Sequence, residues 1–110
     1  MNLSEIQALV FKEYEKNGYL EMWFQARMAL ARIGYAGLED LAELGLVDSE
    51  VTEAMEAIRL SAKKDLGPEL ADVVIRVLNF ASRHKINIEK EILAKHRKNM
   101  KRPMLHGKKI

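Results

Sequence analysis

The apolar residues of this chain recur at helical intervals along most of its length. A first stripe runs from Leu3 to Tyr14 at positions i, i+3, i+7 and i+11 and should end near Asn17, which precedes a glycine. Ser4 and Gln7 have the spacing of a capping box at the start of this stripe. The pattern predicts an amphipathic first helix.

Glycine, proline and asparagine divide the rest of the chain into four further helices. Gly34 closes the second, Pro68 suits the first turn of the fourth, and Asn87 can cap the fifth. No segment alternates apolar and polar residues for long enough to indicate a strand. We therefore expect an all-α fold, a small, oligomer-forming bundle of four to five helices in one domain, 1–110. The further predicted helices cover residues 20–33, about 38–63, 68 to about 83 and 88 to about 101, followed by a basic, irregular tail at 103–110.

Composition narrows the classes of protein that fit this pattern. No apolar run approaches the roughly 20 residues of a membrane-spanning helix, and the first residues lack the features of a signal peptide. A cytoplasmic location is the default expectation. The absence of cysteine leaves carboxylates and three histidines as possible metal ligands, which favours hard cations. His96 and His106 lie among basic residues, so we do not expect a histidine metal site.

The net charge of +2 is unevenly distributed. Residues 1–72 hold 14 Asp and Glu against 7 Lys and Arg, whereas residues 73–110 hold 2 against 11. An acidic body with a basic tail could bind an anion through a bridging cation, or nucleic acid through the tail alone. Both interpretations are open at this point.

Two acidic pairs with i,i+3 spacing lie on consecutive predicted helices. Glu50 and Glu53 are about 60° apart on the third helix, on an arc shared with apolar residues. Glu69 and Asp72 begin the fourth helix, and the short link should make the two helices antiparallel neighbours. Four converging carboxylates would repel one another unless Mg²⁺ or Mn²⁺ bound them. From spacing alone, a solvated face and a metal site are about equally open.

The two acidic stretches resemble a known family. "SEVTEAMEA" followed by "PELADVVIRVLNFA" is similar to the MazG-type all-α nucleoside triphosphate pyrophosphohydrolases, whose signature is EExxE on one helix and ExxD on a later one. The ending "EKEILAKHRKNMKRPMLHGKKI" resembles the small phage-like branch, in which a lysine, an asparagine, "RP" and "HGKK" recur. The resemblance covers about Leu44 to Ile110.

The resemblance implies cleavage of nucleoside triphosphates between the α and β phosphates, by dimers or dimer-based tetramers. It implies that four carboxylates ligate Mg²⁺, with Mn²⁺ as a possible substitute: Glu50, Glu53, Glu69 and Asp72. It further implies that tail residues lie near the phosphates or close over the site: Lys95, Asn99, Arg102, Lys108 and Lys109.

Two positions depart from the family signature. Ser49 replaces the first glutamate of EExxE, and Asn79 stands where relatives often have aspartate, which leaves the base and sugar preference open. We expect Asn79 to contact substrate, and Glu50 or Glu53 to hold or deprotonate the attacking water. Arg76 could neutralise the leaving pyrophosphate with Lys95 and Arg102, or form an intramolecular salt bridge.

Two other classes of function compete with this hypothesis. The basic segment "KHRKNMKRP" could bind nucleic acid, although the acidic body and the lack of interleaved aromatic residues make this less favoured. A catalytically silent helical dimer is the third possibility. The apolar cluster around Trp23 (Met22, Phe24, Met28) is expected in the core or at a subunit contact.

Overall fold

Five α-helices and no strand make up the part of the chain that the structure, a computed structural model, describes, residues 1–102. The predicted all-α class is confirmed, and Pro68 lies in the first turn of α4 as expected. No helix within these residues has the length and hydropathy needed to cross a membrane. Lys108 and Lys109 lie outside the described residues. The helices are α1 Leu3–Lys16, α2 Tyr19–Arg32, α3 Leu38–Arg59, α4 Leu66–Arg83 and α5 Ile88–Met100, with a 3-10 turn at Lys63–Asp65 before α4.

The third helix ends at Arg59, four residues before the predicted end. Ser61 adopts a left-handed conformation with φ 56°, and the Ala62 amide donates to the Ala57 carbonyl. These are the features of a Schellman motif, which usually relies on glycine. Lys85 terminates α4 in the same way, with φ 59°. Because no glycine marks either position, the sequence pattern did not reveal the stop after α3.

The start of α1 is capped by a different pair from the predicted one. Asn2 and Glu5 form the capping box, in which the Glu5 amide donates to Asn2 Oδ1 at 2.8 Å. Ser4 lies within the first turn, where its amide donates to Glu89 Oε1 at 3.1 Å and its hydroxyl donates to Asn87 Oδ1 at 3.2 Å. The predicted cap residue therefore joins the beginning of α1 to the beginning of α5.

The other half of the predicted capping box, Gln7, is buried between helices. Its amide nitrogen donates to Ser82 Oγ at 3.0 Å and to the Ile86 carbonyl at 2.8 Å, and its amide oxygen accepts from the Ile88 amide at 3.1 Å. These three partners belong to the last turn of α4, to the link and to the first residue of α5, respectively. Gln7 thus fixes α1 against both of these helices.

Helix α4 packs against both α3 and α1 and so occupies a central position in the bundle. Leu78 and Ala81 are buried, with 1% and 3% of their surface exposed. Three apolar side chains on the other side of α4 are not covered. Leu70, Val74 and Val77 remain between 36% and 50% exposed, because they lie on the opposite side of α4 from Asp72 and no described helix covers them.

A buried polar network joins α1, α3 and α4. Tyr14 Oη donates to Glu43 Oε2 at 2.6 Å, and Arg83 Nε donates to Glu43 Oε1 at 2.7 Å. Arg83 also donates to Asp40, whose Oδ1 lies 2.9 Å from His84 Nε2. Burial, and then the hydrogen bond to Glu43, raise the pKa of Tyr14 well above its ordinary value. The phenol therefore remains a donor to Glu43 across the physiological pH range.

Replacing Arg83 with methionine should destabilise the protein by about 3 kcal/mol, because it leaves the Glu43 carboxylate buried without its cation. The Arg83 and Glu43 side chains are only 10% and 7% exposed. Arg59→Met is the matched control, since Arg59 and its partner Glu56 are 73% and 45% exposed and such surface pairs contribute about 1 kcal/mol or less. Urea denaturation followed by circular dichroism measures both changes. Equal losses in the two variants would contradict a structural role for the network.

Candidate functional site

Three carboxylates from α3 and α4 meet on one side of the bundle. Glu50, Glu69 and Asp72 each place one oxygen atom within 4.8 Å of the other two. Glu69 and Asp72 belong to the first two turns of α4, and Glu50 lies in the second half of the antiparallel α3. Glu50 and Glu69 are partly buried, whereas Asp72 is exposed. The structure thus brings together three of the four carboxylates that the sequence singled out.

Glu53, the fourth carboxylate, is exposed beside this cluster rather than within it. The negative charge of Glu50, and then the neighbouring Glu69 carboxylate, raise the pKa of Glu53 above its ordinary value. This shift is the repulsion expected when carboxylates share a small volume without a cation.

The cluster fits a divalent cation. Glu69 Oε2 is buried and has no hydrogen-bond partner, and a buried carboxylate oxygen without a partner is costly. An all-oxygen set of donors is the kind that Mg²⁺ and Mn²⁺ prefer. A cation bound here would give Glu69 Oε2 a partner and reduce the repulsion at Glu53.

Arg76 forms an ion pair with one member of the cluster. Its Nε lies 2.8 Å from Glu50 Oε1, which is the intramolecular salt bridge that the sequence left open. The Glu50 side chain is 14% exposed and that of Arg76 41%, so the guanidinium covers one oxygen of Glu50 while part of it still faces solvent. Within residues 1–102, the four carboxylates have this one arginine as an ion-pair partner, so their charge is only partly neutralised.

A pocket of about 390 Å³ opens next to the carboxylates and extends towards α1 and α2. Glu50, Asp72 and Arg76 line one end, and Tyr14 and Trp23 line the other. Its volume is within the range of roughly 300–1,000 Å³ that small-molecule sites occupy. The acidic cluster is therefore continuous with a cavity large enough for a nucleotide-sized ligand.

Asn79 lies on α4 two turns beyond Asp72 and faces the same pocket. Only 8% of its surface is exposed, and its Oδ1 atom is buried without a hydrogen-bond partner. Native proteins rarely leave a buried side-chain acceptor unpaired. This polar atom marks a place where a ligand could supply a donor.

The described members of the predicted tail set, Lys95, Asn99 and Arg102, lie on or just after α5. Helix α5 packs mainly against α1. Within residues 1–102, none of the residues that line the pocket belongs to α5. Their contact with substrate stays a prediction, as does that of Lys108 and Lys109.

The pocket also includes residues that the sequence did not place at a site. Tyr14 and Glu43 were not singled out, and Trp23 and Met22 were expected in the core or at a subunit contact. Trp23 is partly buried, and the Arg83 guanidinium carbon lies 5.8 Å from its ring centroid. Phe24, from the same predicted cluster, is 53% exposed. The predicted apolar cluster around Trp23 is thus divided, with Met22 and Trp23 at the pocket and Phe24 at the surface.

Comparison with protein families agrees with this geometry. A family model for the MazG nucleotide pyrophosphohydrolase domain matches residues 40–105, more than half of the chain and all four carboxylates. The chain belongs to the MazG nucleotide pyrophosphohydrolase family. Neither the curated proteins nor the solved structures gave a match. The MazG match starts at Asp40, so α1 and α2, which form one side of the pocket, lie outside it.

Membership of the MazG family gives the site its general chemistry. The family comprises hydrolases of acid anhydrides that act on nucleotides and depend on divalent metal ions. The cluster of Glu50, Glu69 and Asp72 is the candidate metal centre in this MazG domain.

Divalent cations should raise the melting temperature of the protein through this cluster. A concentration of Mg²⁺ or Mn²⁺ ten times the dissociation constant would stabilise the folded state by about 1.4 kcal/mol, a shift of several degrees for a domain of this size. Glu69→Gln should abolish the shift, since it removes the buried carboxylate, whereas Glu15→Gln on the exposed side of α1 should retain it. Differential scanning calorimetry with and without metal provides the measurement. A full shift in Glu69→Gln would remove Glu69 from the metal centre.

Proposed function

We propose that the protein is a Mg²⁺-dependent nucleoside triphosphate pyrophosphohydrolase, with Mn²⁺ as a possible substitute. It hydrolyses the bond between the α and β phosphates of ribo- or deoxyribonucleotides and releases a nucleoside monophosphate and pyrophosphate. The observation that carries this proposal is the unpartnered Glu69 Oε2 in a three-carboxylate cluster at the end of a nucleotide-sized pocket. A cytoplasmic location remains part of the proposal.

The acidic residues have two roles, metal binding and proton transfer. Glu50, Glu69 and Asp72 would hold the metal, with Glu53 beside them as the fourth ligand that the family resemblance implies. The bound metal would offset phosphate charge and lower the pKa of the attacking water. Glu53 is the better placed of the two candidate bases, because Glu50 is already engaged by Arg76 whereas Glu53 faces solvent. It can accept the proton of a water positioned for in-line attack.

Arg76 can serve both the cluster and the substrate. A guanidinium has five N–H donors, and the described salt bridge with Glu50 uses one of them. Because Arg76 also lines the pocket, its remaining donors can bind phosphate oxygens and neutralise the leaving pyrophosphate. Further cations from the end of the chain belong to the proposal through the family resemblance: Lys95, Arg102, Lys108 and Lys109, with the Asn99 amide.

We also propose that the active form is a homodimer or a dimer of dimers. The buried apolar side chains of the described chain are few and mostly small: Tyr14, Ala54, Ala57, Leu78 and Ala81. Meanwhile Leu70, Val74 and Val77 form an exposed apolar stripe on α4, opposite the pocket face. A second copy packed on this stripe would bury it without blocking the carboxylates.

Asp72→Asn and Glu53→Gln should each reduce Mg²⁺-dependent pyrophosphate release by about a hundredfold or more, because one loses a ligand and the other a base. The assay measures pyrophosphate from a panel of nucleoside triphosphates and identifies the nucleotide product by chromatography. Glu15→Gln is the control, and circular dichroism checks that each variant is folded. Wild-type turnover by both site variants, or release of inorganic phosphate in place of pyrophosphate, would overturn the proposal.

Val74→Glu should convert the oligomer to monomers, since it places a charge in the centre of the exposed stripe. Val74→Ile, which keeps the surface apolar, should leave the assembly intact. Sedimentation equilibrium across a range of protein concentrations measures the mass of each. A monomeric wild-type protein, or an oligomer that persists in Val74→Glu, would show that this stripe is not the interface.

A further inference from the structure

The pocket extends well past the carboxylates, and its inner end has a chemistry of its own. Asn79 follows Asp72 by seven residues on α4, and Glu43 precedes Glu50 by seven on the antiparallel α3. Both intervals correspond to about 10 Å of helix. The acidic cluster and the inner end are therefore separated by two turns on both helices, with Arg76 between them. This spacing suits a ligand with a charged group at one end and a planar, hydrogen-bonding group at the other.

We propose that the inner end of this pocket is the nucleobase compartment of the enzyme, and that Tyr14, Glu43 and Asn79 select bases whose edge pairs an amino group with a ring-nitrogen acceptor, as in cytosine and adenine. The inference rests on the proposed function, since it assigns the other end of the pocket to the phosphates. It goes beyond the family match, because α1 and α2 lie outside the matched residues.

The inner end presents mainly hydrogen-bond acceptors. The Tyr14 hydroxyl proton is directed to Glu43 Oε2 at 2.6 Å, so Tyr14 Oη presents its lone pairs. Glu43 is held by Arg83 at 2.7 Å and accepts but does not donate. Asn79 contributes a buried Oδ1 without a partner. Because Tyr14 and Glu43 already have partners, the atom that a ligand must satisfy with a donor is Asn79 Oδ1.

Asn79 adds a geometric requirement to this demand for a donor. Its amide pairs an acceptor oxygen with a donor nitrogen, the arrangement that matches an amino group beside a ring nitrogen. Cytosine and adenine have such an edge. With the Asn79 amide in the orientation that the structure shows, uracil and hypoxanthine oppose an acceptor with a carbonyl oxygen and a donor with a ring N–H, so neither hydrogen bond forms.

Aromatic and apolar side chains complete the compartment. Tyr19 and Trp23 from α2 line the same pocket as Asn79, and Ile75 does so from α4. Planar bases are commonly held between such surfaces, which bury the base faces while polar atoms read the edge. Trp23, one member of the predicted apolar cluster, is thereby assigned to the surface that holds the base.

Matched nucleotide pairs test the proposal with the unmodified enzyme. CTP and UTP, and likewise ATP and ITP, differ by replacement of the amino group with a carbonyl. The wild-type kcat/KM for pyrophosphate release should be about tenfold or more higher for the amino member of each pair. Ratios near one, or a preference for UTP and ITP, would overturn the compartment while leaving the pyrophosphohydrolase proposal standing.

Asn79→Leu should bring both ratios close to one, because it removes the amide that reads the base edge. Tyr35→Phe is the matched control, since Tyr35 is 59% exposed and does not line the pocket, and it should keep the wild-type ratios. Retention of the wild-type ratios in Asn79→Leu would exclude Asn79 as the reader of the base.

A binding measurement separates this proposal from the reaction. If no triphosphate yields pyrophosphate, the proposed function fails. Calorimetric titration with CMP and UMP then tests the nucleobase compartment independently of catalysis. Tighter binding of CMP by about tenfold supports it. Equal binding, or binding of neither nucleotide, overturns it.

Discussion

The buried ion pair between Glu43 and Arg83 is the interaction on which the arrangement of the bundle depends. It joins α3 to α4, and through the Tyr14 hydroxyl it also positions α1. The fully buried apolar residues of the described chain are few, with Leu78 the largest aliphatic one, so packing alone specifies the register of these helices weakly. Removing one partner would leave a charge in a poorly solvated place. The ion pair therefore fixes which turns of α3 and α4 face each other, and so places Glu50 opposite Asp72.

The two ends of the α3–α4 pair balance their charges differently. At one end, Asp40 and Glu43 meet Arg83 and His84, and the hydrogen bonds satisfy the groups involved. At the other end, four carboxylates share only Arg76 among the described residues, and the pKa of Glu53 is raised as a result. Similar residue types thus form a satisfied ion-pair network at one end and a cluster that favours binding of a cation at the other. The ratio of acids to bases, rather than the presence of acids, distinguishes the two.

Much of this organisation could be predicted from the sequence, since helical periodicity gave the five helices and a short link placed Glu50 near Glu69 and Asp72. The misses have physical causes. Ser61 ends α3 in a conformation that glycine usually marks, and the exposure of Val74 depends on which neighbours surround α4. The pairing of Glu43 with Arg83 spans 40 residues, so no local pattern reveals it. The sequence signal that could have indicated this pairing was the presence of a charged residue within the apolar stripe of each of the two helices.

Gln7 and Tyr14 are seven residues apart and therefore lie on the same face of α1, two turns from each other. One is fastened to the segment that leads into α5, and the other reaches the inner end of the pocket. Helix α1 thus supports α5 near one end and forms part of the cavity wall near the other. A tilt of α1 would move its contact with α5 and its part of the cavity wall together. The hydrogen bonds of Gln7 and Tyr14 therefore connect the start of α5 and the wall of the cavity through the same helix.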